Sequence, residues 1–178
     1  YSQGSIIIGI CGGYQMLGKK IIDKLKIESE QKEINGLGLL NIITTFNETK
    51  TLAQIKARHL ESKTIANGYE IHMGKSKIYG NEKPVFNIIE RTGNVVNIKD
   101  GAQSQDKRIW GTYIDGVFDN KEFRECFLNG IRQRKGLKPT ASLDFNQSEE
   151  YDKLAELLRK NLNMKLIYEI IGEKKHQR

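Results

Sequence analysis

The feature that most restricts the fold is a short apolar run that ends in a cysteine followed by two glycines. Residues 6–10 are Ile-Ile-Ile-Gly-Ile, and Cys11, Gly12 and Gly13 come directly after them. A β-branched run of this length is typical of a central strand that is covered on both faces. Over residues 14–25 the apolar residues then recur at helical spacing. The sequence therefore predicts a strand that passes straight into a helix through a corner of small residues.

Six further strands and two further helices are predicted after this corner. The strands cover residues 41–46, 51–58, 68–73, 85–90, 94–98 and 108–114. A helix over residues 121–135 begins after Asp119 or Asn120 and ends at Gly136, and a second helix over residues 148–171 begins at Ser148. The chain has neither an internal repeat nor a low-complexity segment. We therefore expect one domain over residues 1–178.

The position of the first strand leaves two interpretations open. A helix that follows a buried parallel strand needs neighbouring strands, which crossover connections supply. This sequence, however, begins almost at that strand. Either the strand lies at the start of its sheet, or earlier strands of the sheet are missing from the sequence.

Composition and charge favour neither a nucleic-acid partner nor a membrane. The formal net charge is +7, but the basic residues are interleaved with acidic ones, and the compact basic run is confined to residues 174–178. No apolar stretch has the length that a bilayer requires. The two cysteines are too few for a disulfide scaffold or a structural zinc site. We expect a cytoplasmic protein without a metal site.

The corner itself is typical of a nucleophile elbow, which lifts a reactive side chain above the edge of a sheet. The first N–H groups of a helix lower the pKa of a thiol and can bind an oxyanion, and the N–H of Gly12 is one such donor. The alternative is a small cysteine buried under a helix, which is common. The adjoining glycines and the change from strand to helix favour a functional Cys11. Cys126, by contrast, falls within a helical apolar pattern and is predicted to be a core residue.

Four segments resemble, in the same order, motifs of the cobyric acid synthase type of class I glutamine amidotransferase. They are GICGGYQMLG at 9–18, INGLGLL at 34–40, GYEIHMG at 68–74 and GTYIDGVFDN at 111–120. The resemblance implies an α/β fold with a flavodoxin-like sheet and helices on both faces. It also implies that the N-terminal strands of that sheet are missing.

The resemblance further implies a reaction. Such enzymes hydrolyse glutamine at a cysteine through a glutamyl thioester, and the ammonia passes to an ATP-dependent synthetase domain. That domain amidates the corrinoid adenosylcobyrinic acid a,c-diamide in cobalamin biosynthesis. By resemblance, Cys11 is the nucleophile, Gly12 helps to bind the oxyanion, and Gln15 lies near the substrate glutamine. This chain contains no phosphate-binding loop, so ATP and magnesium are expected on an N-terminal domain outside it, and this chain is expected to bind no cofactor.

One position departs from the family's motif. In the family, the motif that the segment at 111–120 resembles ordinarily carries the catalytic histidine where this sequence has Asp115. A histidine takes the thiol proton, stabilises the thiolate as imidazolium, and then protonates the departing ammonia. An aspartate at neutral pH instead raises the thiol pKa by repulsion and has no proton to give. We therefore expect weak or absent glutaminase activity.

Other groups and other functions remain as alternatives. His72 is a possible auxiliary base, although a structural histidine bonded to neighbouring backbone is the favoured interpretation. Because of Asp115, the chain can also be a degenerate amidotransferase domain that binds glutamine or a partner without turnover. A third interpretation keeps the chemistry and changes the carboxylate acceptor, to cobyrinic acid or a cell-wall precursor.

Overall fold

The computed structural model describes residues 4–141 and 147–172. These residues belong to two compact units, one within residues 1–142 and the other within residues 143–178. The single domain expected from the sequence stays a prediction. Every motif singled out above lies in the first unit.

The first unit combines ten described strands with two α-helices and a 3₁₀ turn. In chain order the strands are β1 (Ile7–Ile10), β2 (Lys20–Ile22), β3 (Glu33–Asn35), β4 (Ile42–His59), β5 (Ile65–Ile78), β6 (Phe86–Arg91), β7 (Asn94–Asp100), β8 (Ala102–Gln103), β9 (Ile109–Thr112) and β10 (Ile114–Asp115). The helices are α1 (Gly12–Leu17) and α2 (Lys121–Arg134), and the 3₁₀ turn is Val117–Asp119. The α/β class predicted from the sequence is confirmed.

A small sheet carries the first strand. Its order is β1-β9-β8, and β1 runs parallel to β9 with Ile10 opposite Thr112. The strand predicted at residues 6–10 is thus confirmed, but its predicted central place in the sheet is wrong among the described strands. The fully buried central strand is β9. Since parallel strands end at the same edge of a sheet, the residues after Ile10 and after Thr112 are brought together.

A larger sheet is built around the long hairpin of β4 and β5. The strand order is β10-β5-β4-β2-β3, and β6 pairs with both β4 and β7. The strands predicted at 41–46 and 51–58 are parts of one strand, β4, whose register shifts between Phe46 and Thr51. The strand predicted at 108–114 is divided at Tyr113, because β9 joins the small sheet whereas β10 joins the large one.

The helix predicted at residues 14–25 is wrong in its second half. Helix α1 ends at Leu17, and Gly18 after it is extended, with φ −69° and ψ 176°. Residues Lys20–Ile22 instead form β2, which pairs with β3 on one side and with β4 on the other. Pairing with two distant strands therefore outweighs the local helical spacing. The helix predicted at 121–135 is confirmed as α2, and Gly136 after it has a φ of 68°.

The second unit contains two described helices, α3 (Gln147–Asn161) and α4 (Met164–Ile170). The single helix predicted over 148–171 is wrong, because the helix is interrupted before Met164. The side chain of Asn163 accepts a hydrogen bond from the backbone N–H of Leu166 and so starts a new helix there. No helix within residues 4–141 and 147–172 has the length and apolar character to cross a bilayer.

Candidate active site

Cys11 occupies a sharp corner between β1 and α1. Its φ of 52° and ψ of −116° lie in a region that residues other than glycine rarely adopt. Its N–H donates a hydrogen bond of 2.9 Å to the carbonyl oxygen of Thr112 at the end of β9. The cysteine is therefore held in a strained turn by the neighbouring parallel strand, which is the geometry of a nucleophile elbow.

The glycines around this corner serve different purposes. A Cβ atom on Gly9 would lie 2.6 Å from the backbone carbon of Gly13, so only glycine lets α1 start this close to β1. Gly111 on β9 likewise leaves room for the ring of Tyr14, which a Cβ atom would overlap. Gly12 and Gly13, in contrast, have open space around the position of a Cβ atom. The tight packing is thus at Gly9 and Gly111.

The thiol of Cys11 is half-buried and lies at the edge of β5. Its sulfur atom is 3.5 Å from the carbonyl oxygen of Ile71, to which the S–H group donates. Burial raises the pKa of Cys11, and the negative charge of Asp115 raises it further, while a hydrogen bond from the N–H of Gly12 lowers it. The upward direction agrees with the effect expected of an aspartate at this position. At neutral pH, Cys11 is therefore a protonated thiol when no substrate is bound.

Asp115 lies on the short strand β10, close enough to the thiol for its charge to raise the pKa of Cys11. It stands opposite Tyr69 of β5, and Gly116 after it takes a φ of 76°. Burial raises the pKa of Asp115, whereas its electrostatic interaction with His72 acts to lower that pKa. The structure thus brings together Cys11, Asp115 and the edge of β5, three parts that are far apart in the sequence.

His72 makes contacts through both of its ring nitrogens. Nδ1 lies 2.7 Å from the carbonyl oxygen of Gly74, and Nε2 lies 3.4 Å from Oε1 of Glu70. Both partners accept hydrogen bonds, so a ring that carries a hydrogen on each nitrogen satisfies both contacts. This bonding to neighbouring backbone agrees with the structural role that the sequence favoured. The S–H group of Cys11 donates to the carbonyl oxygen of Ile71 and not to His72.

Glu70 is the buried partner of this histidine. Its carboxylate also lies 2.6 Å from the guanidinium of Arg91 on β6. Burial alone would raise the pKa of Glu70, but the hydrogen bonds and charges of His72 and Arg91 hold that pKa below its ordinary value. Glu70 thus links His72 on its own strand to Arg91 on β6.

Gln15 points into the protein from α1. Its side chain is buried, and its amide Nε2 donates a hydrogen bond of 3.3 Å to the hydroxyl of Tyr113. The same hydroxyl lies 2.8 Å from Oγ of Ser76 on β5. This contact joins the helix that follows Cys11 to the large sheet, and the predicted role of Gln15 in binding glutamine stays a prediction.

One residue next to the site, Asp100, was not found from the sequence. Asp100 is buried at the end of β7, where its carboxylate accepts hydrogen bonds from the hydroxyl of Thr112 and the N–H of Tyr113. Burial raises the pKa of Asp100 to about 6, against the opposing effect of those hydrogen bonds. In the sequence, Asp100 precedes a glycine and indicates only a turn. The hydrogen bonds of Asp100 join strands that are distant in the sequence, and no local sequence pattern predicts such contacts.

Cys126 corrects a further expectation. The sequence predicted a core residue, but Cys126 is exposed on α2. Phe123 is the fully buried residue of that helix, so its buried stripe is narrower than the apolar pattern indicated. Within residues 4–141 and 147–172, no group of three or more histidine, cysteine, aspartate or glutamate side chains is arranged to hold a metal ion.

Comparison with known proteins agrees with this geometry. Residues 1–123 match the family described as the CobB/CobQ-like glutamine amidotransferase domain. The chain belongs to this family.

Three similar proteins are cobyric acid synthases. The cobyric acid synthase of Clostridium tetani (strain Massachusetts / E88) is 45% identical over 174 residues, which are 97% of this chain and 35% of that protein. The cobyric acid synthase of Thermoanaerobacter sp. (strain X514) is 46% identical over 95% of this chain and 36% of its own length. That of Clostridium botulinum (strain ATCC 19397 / Type A) is 47% identical over 98% and 36%. The chain thus spans about a third of the length of these curated relatives.

Proposed function

We propose that this chain is the glutamine-hydrolysing part of a cobyric acid synthase, with Cys11 as its nucleophile. The observation that carries the proposal is the strained corner at Cys11, which sets the thiol against the strand edge beside Asp115. Membership of the amidotransferase family supports glutamine as the substrate. The free thiols of Cys11 and Cys126 support a cytoplasmic location.

In the proposed reaction, the sulfur of Cys11 attacks the side-chain amide carbon of glutamine. The N–H of Gly12 bonds to the oxygen that becomes negative, and Gln15 helps to bind the substrate. The carbon–nitrogen bond then breaks as the nitrogen takes up one proton. The nitrogen leaves as ammonia, and a glutamyl thioester remains on Cys11. Water hydrolyses this thioester to give glutamate and the free thiol.

The weak point of this scheme is the proton transfer. Moving a thiol proton to an aspartate costs about 6 kcal/mol at ordinary pKa values, against about 3 kcal/mol for an imidazole. The difference of about 3 kcal/mol corresponds to roughly two orders of magnitude in rate. Asp115 as the proton acceptor therefore supports a slow glutaminase, and both ring nitrogens of His72 are already engaged.

The remaining parts of the reaction belong to a synthetase domain outside this chain. We propose that this domain binds ATP and magnesium and activates the carboxylates of adenosylcobyrinic acid a,c-diamide. Ammonia from Cys11 would then form the amides, in cobalamin biosynthesis. In a longer protein that contains both parts, Cys11→Ser should abolish amidation with glutamine and spare amidation with an ammonium salt. Loss of both activities would contradict the division of labour.

Within this chain, the test is covalent labelling by the diazoketone analogue of glutamine. In a Cys126→Ser background the reagent should label Cys11, and free glutamine should slow the reaction. Cys11→Ser is the matched control, since it keeps the exposed thiol of Cys126. Its labelling should be slow and insensitive to glutamine. If glutamine fails to protect Cys11, the proposed function is wrong.

A second candidate is a domain that binds glutamine without turnover, and Asp115 is the observation that favours it. Asp115→His separates the two functions. A rise in glutaminase rate of about 100-fold would show that the site lacks only its base. Protection of Cys11 by glutamine together with no gain in rate would favour a binding domain. Another carboxylate acceptor, as considered from the sequence, would be revealed by amidation assays with the longer protein.

A further inference from the structure

Tyr113 lies at the point where the two sheets and α1 meet. It follows β9 directly and precedes β10, so it belongs to the link between the strand that holds Cys11 and the strand that carries Asp115. Only 6% of its surface is exposed. No part of the proposed reaction involves this residue, although its contacts join the elements on which the reaction depends.

The ring of Tyr113 is fixed by aromatic contacts on two sides. It stacks on the ring of His72 with a centroid distance of 3.9 Å and an interplanar angle of 21°. The ring of Tyr14 on α1 approaches it edge-on, at 5.2 Å and 82°. One of these neighbours belongs to β5 and the other to the helix of the nucleophile, so the ring sets the spacing between them.

The hydroxyl of Tyr113 joins the same two elements by hydrogen bonds. It accepts a hydrogen bond from Nε2 of Gln15 at 3.3 Å and forms a second one with Oγ of Ser76 at 2.8 Å, in which either oxygen can be the donor. Ser76 continues the chain to the buried hydroxyl of Thr44 on β4, at 2.7 Å. Four side chains from α1, β4, β5 and the β9–β10 link thus form one hydrogen-bonded row.

The backbone of Tyr113 is held separately, by Asp100. The N–H of Tyr113 donates to the carboxylate of Asp100 at 3.2 Å. The hydroxyl of Thr112 donates to the same carboxylate and accepts from the N–H of Ile114 at 3.1 Å. The backbone is therefore fixed just before β10, and the side chain of Tyr113 has a defined direction.

We propose that Tyr113 is a positioning residue for the glutamine site, whose hydroxyl and ring hold α1 at a set distance from β5 so that the Cys11 sulfur meets the substrate. The inference rests on the proposed function, since it concerns the alignment of the same thiol. A misplacement of about 1 Å can slow an aligned reaction by about a hundredfold. A loss of alignment should therefore affect a reagent that binds in the site more than one that only collides with the thiol.

The experiment compares two labelling reactions at Cys11, both in a Cys126→Ser background. The diazoketone analogue of glutamine must bind before it reacts, whereas iodoacetamide reacts on collision. Tyr113→Phe removes only the hydroxyl and should slow the diazoketone about tenfold, with less than a twofold change for iodoacetamide. Tyr79→Phe is the matched control, since it makes the same change at an exposed tyrosine, and it should alter neither rate.

Ser76→Ala provides an independent route to the same result. It removes the partner of the Tyr113 hydroxyl from a half-buried position, so it tests the proposal even if Tyr113→Phe fails to fold. The double variant Tyr113→Phe/Ser76→Ala should be slowed by less than the product of the two single effects, because the two changes share the contact between Tyr113 and Ser76.

Distinct outcomes separate the two proposals. If the wild-type chain is not labelled by the diazoketone, the proposed function fails and this inference fails with it. If the wild-type chain is labelled and Tyr113→Phe and Ser76→Ala react at the wild-type rate, only the positioning role is wrong. An equal slowing of diazoketone and iodoacetamide would also overturn it, since it would indicate a general change at the thiol.

Discussion

The backbone N–H of Cys11 donates a hydrogen bond to the carbonyl oxygen of Thr112 at 2.9 Å. This bond extends the parallel pairing of β1 and β9 by one residue beyond Ile10. Asp115 comes shortly after Thr112 in the chain, so the strand that fixes the thiol also leads to the carboxylate beside it. Because backbone pairing fixes this arrangement, a substitution of Asp115 should change the chemistry of Cys11 without moving it.

Asp115→Asn should lower the pKa of Cys11. The substitution removes the negative charge that raises the pKa, while burial of the thiol and its hydrogen bond from Gly12 remain. The measurement is the rate of iodoacetamide labelling against pH in a Cys126→Ser background, where the midpoint should move to lower pH. Asp119→Asn, at an exposed position nearby, is the control and should leave the midpoint in place. A midpoint for Asp115→Asn that stays or rises would contradict the charge effect.

The glutaminase rate of Asp115→Asn should respond differently from its rate of iodoacetamide labelling. The neutral amide that replaces the carboxylate would remove the repulsion but would supply no group that takes or gives a proton. Asp115→Asn should therefore label faster with iodoacetamide at neutral pH without becoming a faster glutaminase. A gain in both would show that the thiolate fraction alone limits the reaction.

Several features of this site follow from local sequence, and others do not. The corner at Cys11 is predictable because a β-branched strand and small residues act within a few positions of each other. The end of α1 is not predictable from local sequence, because the residues around Ile21 pair with strands elsewhere in the chain. The contact of Asp100 with Tyr113 is equally unpredictable from local sequence, since it joins the end of β7 to the link between β9 and β10. The sequence therefore indicates Cys11 as the proposed nucleophile and Asp115 as the proposed departure from the family's motif, but it does not indicate which contacts hold the two residues in place.

Asp100→Asn should change how stability depends on pH. The pKa of Asp100 is about 6 in the folded protein, above its ordinary value of 3.8, so the folded state binds the proton more tightly. This contribution is fully present below about pH 4 and is lost as the pH rises through about 6, with a total of about 3 kcal/mol. Urea unfolding at pH 4 and pH 7 should show that loss in the wild type and a smaller one in Asp100→Asn. Parallel pH profiles of the two proteins would contradict the raised pKa.

Arg91→Met should destabilise the fold through Glu70. The carboxylate of Glu70 is buried, whereas the side chain of Arg91 is 33% exposed. Breaking a buried pair typically costs about 3–5 kcal/mol, and partial exposure of Arg91 reduces the expected loss to about 2 kcal/mol. Because the Glu70 pKa is lowered on folding, its contribution is present at neutral pH and is lost as the pH falls through that lowered pKa. The loss of unfolding free energy in Arg91→Met should therefore be larger at pH 7 than in acid.

A matched control for this prediction is the surface pair of Lys20 and Glu33. Their charged atoms are 2.9 Å apart, and both side chains are at least a third exposed. Lys20→Met should cost only about 0.5 kcal/mol of unfolding free energy, since water screens such pairs. Equal losses for Arg91→Met and Lys20→Met would show that burial of Glu70 does not govern the effect.

Gly9→Ala should damage the corner that holds Cys11, the proposed nucleophile. The new methyl group would lie 2.6 Å from the backbone of Gly13, so α1 must move away from β1. Forcing extra volume into such packing should cost about 2 kcal/mol of unfolding free energy, and diazoketone labelling of Cys11 should slow with it. Gly130→Ala makes the same chemical change inside α2, where the space is open, and should stabilise the protein by about 0.5–1 kcal/mol. If Gly9→Ala is tolerated as well as Gly130→Ala, close contact between α1 and β1 does not hold the thiol in position.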